Sequence, residues 1–131
     1  MGGDGLQQVL YVDDDEAIRE VAQLSLSLDG RFAVRLAASG KEALGFLASG
    51  YRPDVVLLDV MMPDLDGPQT YARIREEGFH QLAVIFITAR TLDAERKALM
   101  HLGARGIINK PFDPVRLAGE VADILDMKMP A

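Results

Sequence analysis

Reactive side chains stand directly after four of the apolar segments in this sequence. The first segment runs into Asp13-Asp14-Asp15 and the third into Asp59, whereas the fourth ends in Thr88-Ala89 and the fifth in Asn109-Lys110-Pro111. If these segments are parallel strands of one sheet, their carboxyl ends meet at the edge where such sheets bind ligands. The pattern therefore predicts a pocket in which three carboxylates, a hydroxyl and an ammonium group converge.

Such a pocket needs a cation. Two carboxylates about 5 Å apart repel each other by roughly 3 kcal/mol at an effective dielectric constant of about 20. A divalent metal ion removes this repulsion, and an all-oxygen set of ligands suits Mg²⁺, or Mn²⁺ in its place, and not Zn²⁺. We therefore expect a magnesium site.

Each of these residues also has an ordinary structural explanation. Asp14 or Asp15 could simply cap the helix that follows, because Asp is a favoured N-cap residue. Lys110 alone is most often a solvated charge, and Thr88 alone is a common strand residue. The occurrence of all of them at strand ends is what favours a site.

Apolar segments rich in β-branched residues alternate with stretches of helical periodicity. The predicted strands are residues 9–12, 32–36, 55–58, 84–88 and 107–108. The first helix is expected to bury a stripe of Ile18, Val21, Ala22, Ser25 and Leu28. Pro68 and Pro114 are expected at the first position of later helices. The alternation predicts the α/β class, with a five-stranded parallel sheet doubly wound by five helices.

Length and composition limit the class of protein. With 131 residues, 49% of them apolar, one core is feasible. We expect a domain over residues 7–126, a flexible N-terminus at 1–6, a short tail at 127–131 and no output domain after the fifth helix. The net charge of −6 opposes direct nucleic-acid binding. No apolar run is long enough for a membrane span and no signal peptide is evident, so a cytoplasmic protein is expected.

Four strings together resemble the signature of the receiver domain of two-component response regulators. They are Val12-Asp13-Asp14-Asp15, the segment 57–67 around Asp59, Thr88-Ala89 and Lys110-Pro111-Phe112. The resemblance covers residues 7 to 126. It implies a flavodoxin-like fold with strand order 2-1-3-4-5.

The resemblance also implies a phosphorylation site. Asp59 would attack the phosphoryl group of a phosphohistidine, on a sensor histidine kinase or a phosphotransfer protein, and become an acyl phosphate. Lys110, Thr88 and the Ala89 backbone amide would contact the phosphoryl oxygens, and the Lys110–Pro111 bond would be cis. The phosphorylated form would bind a downstream protein that the sequence does not identify. We expect a monomer or a weak dimer.

The same resemblance implies a set of metal ligands. Asp14 and Asp59 would bind Mg²⁺ directly, the Met61 carbonyl would be a further ligand, and Asp13 would hold a metal-bound water.

The sequence departs from the family pattern at Ile107, where an aromatic residue usually reports phosphorylation together with the threonine. An aliphatic side chain cannot make that rotamer exchange with Thr88, so output would run through backbone shifts in the fourth helix and fifth strand or be weak. Alternatively, Ile107 is simply a buried strand residue. Arg90 and Met61 flank the path of water to the acyl phosphate and are expected to set its lifetime.

Two other classes of protein remain open. A phosphatase of the haloacid dehalogenase type also uses an aspartyl nucleophile, but it needs a second Asp where Met61 stands. A degenerate receiver would serve only as an interaction module. The leading interpretation is a signalling module whose catalysis is limited to its own phosphorylation and dephosphorylation, and not an enzyme with turnover.

Overall fold

The computed structural model describes residues 5–89 and 92–127. The predicted flexible start and short tail fall largely on residues 1–4 and 128–131, outside this range. The strands are β1 (Gln7–Val12), β2 (Phe32–Ala37), β3 (Val55–Asp59), β4 (Ala83–Thr88) and β5 (Gly106–Asn109). The helices are α1 (Glu16–Asp29), α2 (Gly40–Ala48), α3 (Gly67–Glu76), α4 (Asp93–His101) and α5 (Leu117–Ile124).

The five strands form one parallel sheet in the order β2-β1-β3-β4-β5. The predicted α/β class, strand order and number of elements are confirmed. The winding direction reverses between β1 and β3, which is where doubly wound sheets bind ligands. The register pairs Val12 with Leu58 and Thr88 with Asn109, so the carboxyl ends of β1, β3, β4 and β5 lie side by side.

Alternate residues of each strand face two separate cores. On one face, Tyr11, Leu57 and Ile85 pack with residues of α1 and α5 such as Leu26 and Val121. On the other face, strand residues such as Leu10 and Phe86 pack against Ala43, Tyr71 and Leu99 of α2, α3 and α4. Every residue of β3 and β4 is buried. Burial on both faces explains why these strands are apolar up to their last residues, Asp59 and Thr88.

The predicted apolar stripe of α1 was partly wrong. Ala22 and Leu26 are buried, whereas Val21 is 42% exposed and Leu28 is 77% exposed. The helix packs along the line through Ala22 and Leu26, a narrower face than the sequence suggested. The C-terminal part of α1 therefore leaves large apolar side chains in contact with solvent.

The helix starts are set by side-chain caps. Asp15 accepts a hydrogen bond from the Ile18 N–H and caps α1, as one of the predicted alternatives has it. Asp66 and Gln69 form a reciprocal capping box at α3, with Pro68 in the first turn. The prediction that a helix begins at Pro114 was wrong, because Asp113 caps the Val115 N–H in a separate turn and α5 begins only at Leu117.

None of the helices in residues 5–89 and 92–127 is long and apolar enough to cross a membrane.

Candidate functional site

The reactive residues lie where neighbouring strands end, and backbone hydrogen bonds hold these ends together. The Asp13 N–H donates to Ala37 O at 3.1 Å, the Val60 N–H to Ile87 O at 3.1 Å, and the Lys110 N–H to Thr88 O at 2.9 Å. The positions of Asp13, Asp59, Thr88 and Lys110 are therefore determined by the sheet.

The loop after β3 is held against the sheet by the start of α3. The Gly67 N–H donates to Val60 O at 2.9 Å. A Cβ atom at Gly67 would lie 2.7 Å from Asp59 O and 2.8 Å from the Val60 Cα. Only glycine permits this approach, which holds the backbone that carries Asp59 in place.

Three carboxylates converge at this edge. One carboxylate oxygen from each of Asp13, Asp14 and Asp59 lies within 4.8 Å of the others. Asp13 is fully buried, Asp59 is 2% exposed and Asp14 is exposed. Lys110 Nζ lies 3.0 Å from Asp13 Oδ2 and 3.2 Å from Asp59 Oδ2. The site thus holds three anionic groups beside one cation.

Asp59 Oδ2 is a buried oxygen without a hydrogen-bond donor in the described part of the chain. It is within ion-pair distance of Lys110 Nζ, but the two groups are not aligned for a hydrogen bond. A buried carboxylate oxygen in this state is costly unless a cation binds it. With Asp14 open to solvent beside it, the donor set fits Mg²⁺, which keeps several water ligands and uses few carboxylates.

Burial, and after it the negative charge of Asp13, raises the pKa of Asp59 from 3.8 to a net value of about 6. The positive charge of Lys110 and the Met61 backbone N–H limit this rise. Burial acts against the charged form of Lys110, but its hydrogen bond to Asp13 and the charge of Asp59 outweigh burial and raise the Lys110 pKa. Lys110 therefore stays charged beside Asp13 and Asp59, whereas burial disfavours the ionised form of Asp59.

This charge predicts a dependence of stability on pH in protein free of divalent ions. Because the Asp59 pKa is raised on folding, folding stability is lost as pH rises from about 4 to about 6, by about 3 kcal/mol at most. Asp59→Asn should therefore raise the free energy of unfolding by about 2 kcal/mol at pH 7.5 and by almost nothing near pH 3.5. Urea titrations of both proteins at the two pH values measure this difference. A gain that is equal at both would contradict it.

Asp13 has two partners that the sequence analysis missed. The Tyr11 hydroxyl donates to Asp13 Oδ2 at 3.3 Å, and Arg19 Nη1 donates to Asp13 O at 2.8 Å. Burial, followed by the charge of Asp13, raises the pKa of Tyr11, so this hydroxyl stays a proton donor. The signal for Tyr11 was its position two residues before Asp13, since alternate strand residues share a face. Arg19 had no comparable signal.

The other predicted residues surround this cluster. Thr88 is buried at the end of β4, and Ala89 follows it. Met61 is 60% exposed, but its backbone reaches the Asp59 carboxylate. The Lys110–Pro111 bond is cis, as predicted. Arg90 lies outside the described residues, so its expected role at the acyl phosphate stays a prediction.

Ile107 is half-buried on β5, where it pairs with Phe86 and packs against the α2–α4 side of the core. It also lines a groove with Arg96, Lys97 and Met100 of α4. This placement agrees with an ordinary strand residue. The groove it lines is formed between α4 and β5, the elements expected to carry the output.

Comparisons with known proteins agree with this geometry. Residues 9–122 match the model of the response regulator receiver domain. The chain is 42% identical over 123 residues to the response regulator MprA of Mycolicibacterium vanbaalenii. The aligned residues cover 94% of this chain and 52% of that protein. The chain thus spans about half the length of the curated relatives it matches.

Solved structures are similar over nearly the whole chain. The chemotaxis protein CheY4 of Vibrio cholerae has a TM-score of 0.81 at 30% identity, covering 91% of this chain and 98% of that chain. The BeF3-activated receiver domain of DrrB has a TM-score of 0.76 at 28% identity, covering 92% and 98%.

Proposed function

The chain belongs to the family of response regulator receiver domains, and from this premise we propose that it is a signalling switch in which Asp59 accepts a phosphoryl group. The observation that carries the proposal is the buried Asp59 oxygen that lacks a hydrogen-bond donor beside Lys110 and two further carboxylates. A carboxylate held in this way is ready for a cation and a transferable anion.

The transfer is a displacement at phosphorus. An Asp59 carboxylate oxygen forms the new O–P bond, the P–N bond of a phosphohistidine breaks, and its electron pair stays on the imidazole. Lys110 moves from its ion pair toward the phosphoryl oxygens, where a compact cation stabilises the developing charge. Thr88 and the Ala89 N–H are the proposed remaining donors to those oxygens.

The proposed metal ligands are Asp14, Asp59 and the Met61 carbonyl, with Asp13 holding a metal-bound water. Bound Mg²⁺, or Mn²⁺ in its place, supplies charge neutralisation for the carboxylates and the transferred group. Asp13 and Asp59 are positioned by strand ends and Asp14 by the β1–α1 turn, so binding requires little rearrangement of the backbone.

The proposed partners are a sensor histidine kinase or phosphotransfer protein as donor and a downstream protein as target. We propose a cytoplasmic monomer or weak dimer, with the receiver domain spanning residues 7–126 and no direct contact to nucleic acid. Its chemistry is limited to its own phosphorylation and dephosphorylation, without substrate turnover. The relatives are about twice as long as this chain. The activity and the partners of the whole protein are therefore part of the proposal.

Incubation with acetyl phosphate tests the proposal. In the presence of Mg²⁺ the intact mass should rise by one phosphoryl group, and with excess EDTA it should stay unchanged, because three uncompensated carboxylates repel the phosphate. Intact-mass spectrometry measures both. Modification that is equal with EDTA would contradict the metal requirement, and steady release of phosphate from a monoester would favour a phosphatase instead.

Ile107 is the observation that favours the second candidate, an interaction module that works without phosphate. Beryllofluoride with Mg²⁺ separates the two functions. Altered amide shifts around Asp59, Thr88 and the α4–β5 groove indicate a phosphate-responsive switch, whereas an unchanged spectrum indicates the interaction module.

A further inference from the structure

Tyr11 has a buried hydroxyl that the proposed transfer reaction does not use. Its side chain is fully buried on β1, and the hydroxyl donates to Asp13 Oδ2. We propose that Tyr11 is a positioning residue that holds the Asp13 carboxylate in the orientation required for binding a divalent cation. This inference rests on the proposed function, since it assigns a supporting role at the same site.

The hydrogen bonds of Asp13 show why this donor matters. Asp13 Oδ1 accepts from the Asp15 N–H at 3.0 Å, and Oδ2 accepts from Lys110 Nζ at 3.0 Å and from Tyr11. Lys110 is shared with Asp59 and turns toward the phosphoryl group in the proposed transfer. When Lys110 moves away, the Tyr11 hydroxyl is the remaining donor to Oδ2 among the described residues.

The Tyr11 ring is well suited to hold a carboxylate still. β1 is paired with strands on both sides at this residue, Leu36 on β2 and Leu57 on β3. The ring of Phe112, two residues after Lys110, packs edge-on against it with centroids 6.4 Å apart. The hydroxyl therefore has little freedom to follow the carboxylate, and the carboxylate is oriented by the hydroxyl. Hydrogen bonds to metal-binding carboxylates are known to support affinity in this way.

Tyr11→Phe removes the donor and keeps the ring and its contact with Phe112. We expect the dissociation constant for Mg²⁺ to rise about tenfold, because Asp13 loses a donor that orients its carboxylate. A residue that only supports the fold would lower the thermal stability and leave this constant unchanged.

The matched control is Tyr71→Phe. The Tyr71 hydroxyl is also largely buried and donates to Leu102 O at 2.8 Å, on the opposite face of the sheet from Tyr11. Calorimetric titration of metal-free wild type, Tyr11→Phe and Tyr71→Phe with MgCl₂ gives the three dissociation constants. We expect the constant to change in Tyr11→Phe alone, whatever the thermal stabilities of the two variants.

A Tyr11→Phe protein that binds Mg²⁺ as tightly as wild type overturns the inference and leaves the proposed function standing. If wild type itself binds no Mg²⁺, the proposed function fails and the role of Tyr11 fails with it. Should Tyr11→Phe not fold, ring-labelled tyrosine in the wild-type protein provides the test. Added Mg²⁺ should shift the Tyr11 ring resonances and leave those of Tyr51 and Tyr71 in place, and an unshifted Tyr11 overturns the inference.

Discussion

Asp59→Asn protein incubated with acetyl phosphate and Mg²⁺ should keep its unmodified intact mass, whereas wild type gains one phosphoryl group. The loss is expected to be complete, because an amide oxygen is a poor nucleophile and the neighbouring carboxylates are less well placed. Asp13 has its oxygens committed to Asp15, Tyr11 and Lys110. Asp14 is exposed, and within residues 5–89 and 92–127 no lysine forms an ion pair with it.

Asp64→Asn is the matched control for this experiment. Asp64 is an exposed acid in the loop after β3, with a positive φ of 67° that Asn also tolerates. It should be phosphorylated as wild type is. Mass gain in Asp59→Asn, with a peptide map that places the phosphoryl group elsewhere, would contradict the assignment of Asp59.

Lys110→Met should lower the free energy of unfolding by about 3 kcal/mol at neutral pH in the absence of divalent ions, because it leaves two buried carboxylates without a cation. Methionine keeps an unbranched side chain of similar length, so loss of charge is the main change. Chemical unfolding with EDTA present measures the effect. Added Mg²⁺ should stabilise this variant more than wild type, since it replaces the missing charge.

Lys41→Met removes an exposed lysine from the first turn of α2 and serves as the control, with an expected change within about 0.5 kcal/mol. If Lys110→Met proves as stable as Lys41→Met, the ion pairs of Lys110 contribute little. In that case Asp59 would be neutral at the pH of measurement. Raising the pH would ionise Asp59 and lower the free energy of unfolding of Lys110→Met below that of Lys41→Met.

The first experiment removes a carboxylate from the charged cluster at the edge of the sheet, and the second removes its lysine. The carboxylates that form the proposed cation site are also expected to lower the stability of the metal-free protein at neutral pH, because burial and the charge of Asp13 raise the pKa of Asp59. Lys110 offsets part of this cost through its ion pairs with Asp13 and Asp59, and in the proposed reaction it turns toward the phosphoryl group. Because the carboxylates of this cluster repel one another, adding one positive charge is expected to change the free energy of the site strongly.

The strands could be predicted closely from the sequence because the central strands β3 and β4, which are buried on both faces, are apolar up to Asp59 and Thr88 at their ends. All five predicted strands agree with the structure to within two residues at either end. The helix of Pro114 was placed wrongly, since an Asp-Pro pair starts a turn as readily as a helix. The α1 stripe was wrong at Val21 and Leu28 because periodicity reports apolar character and not the presence of a covering element.

The residues of the candidate site could be predicted from residue types at strand ends, and the resemblance supplied the order of the strands, which is confirmed. That Asp13, Asp14, Asp59 and Lys110 lie together follows from parallel strands ending at one edge, a property of topology. Only the folded molecule revealed the hydrogen bonds of Tyr11 and Arg19 and the Asp59 oxygen that lacks a hydrogen-bond donor. Such contacts depend on side-chain rotamers and on distances of a few tenths of an ångström. Packing between segments remote in the chain determines both, and no local sequence pattern encodes them.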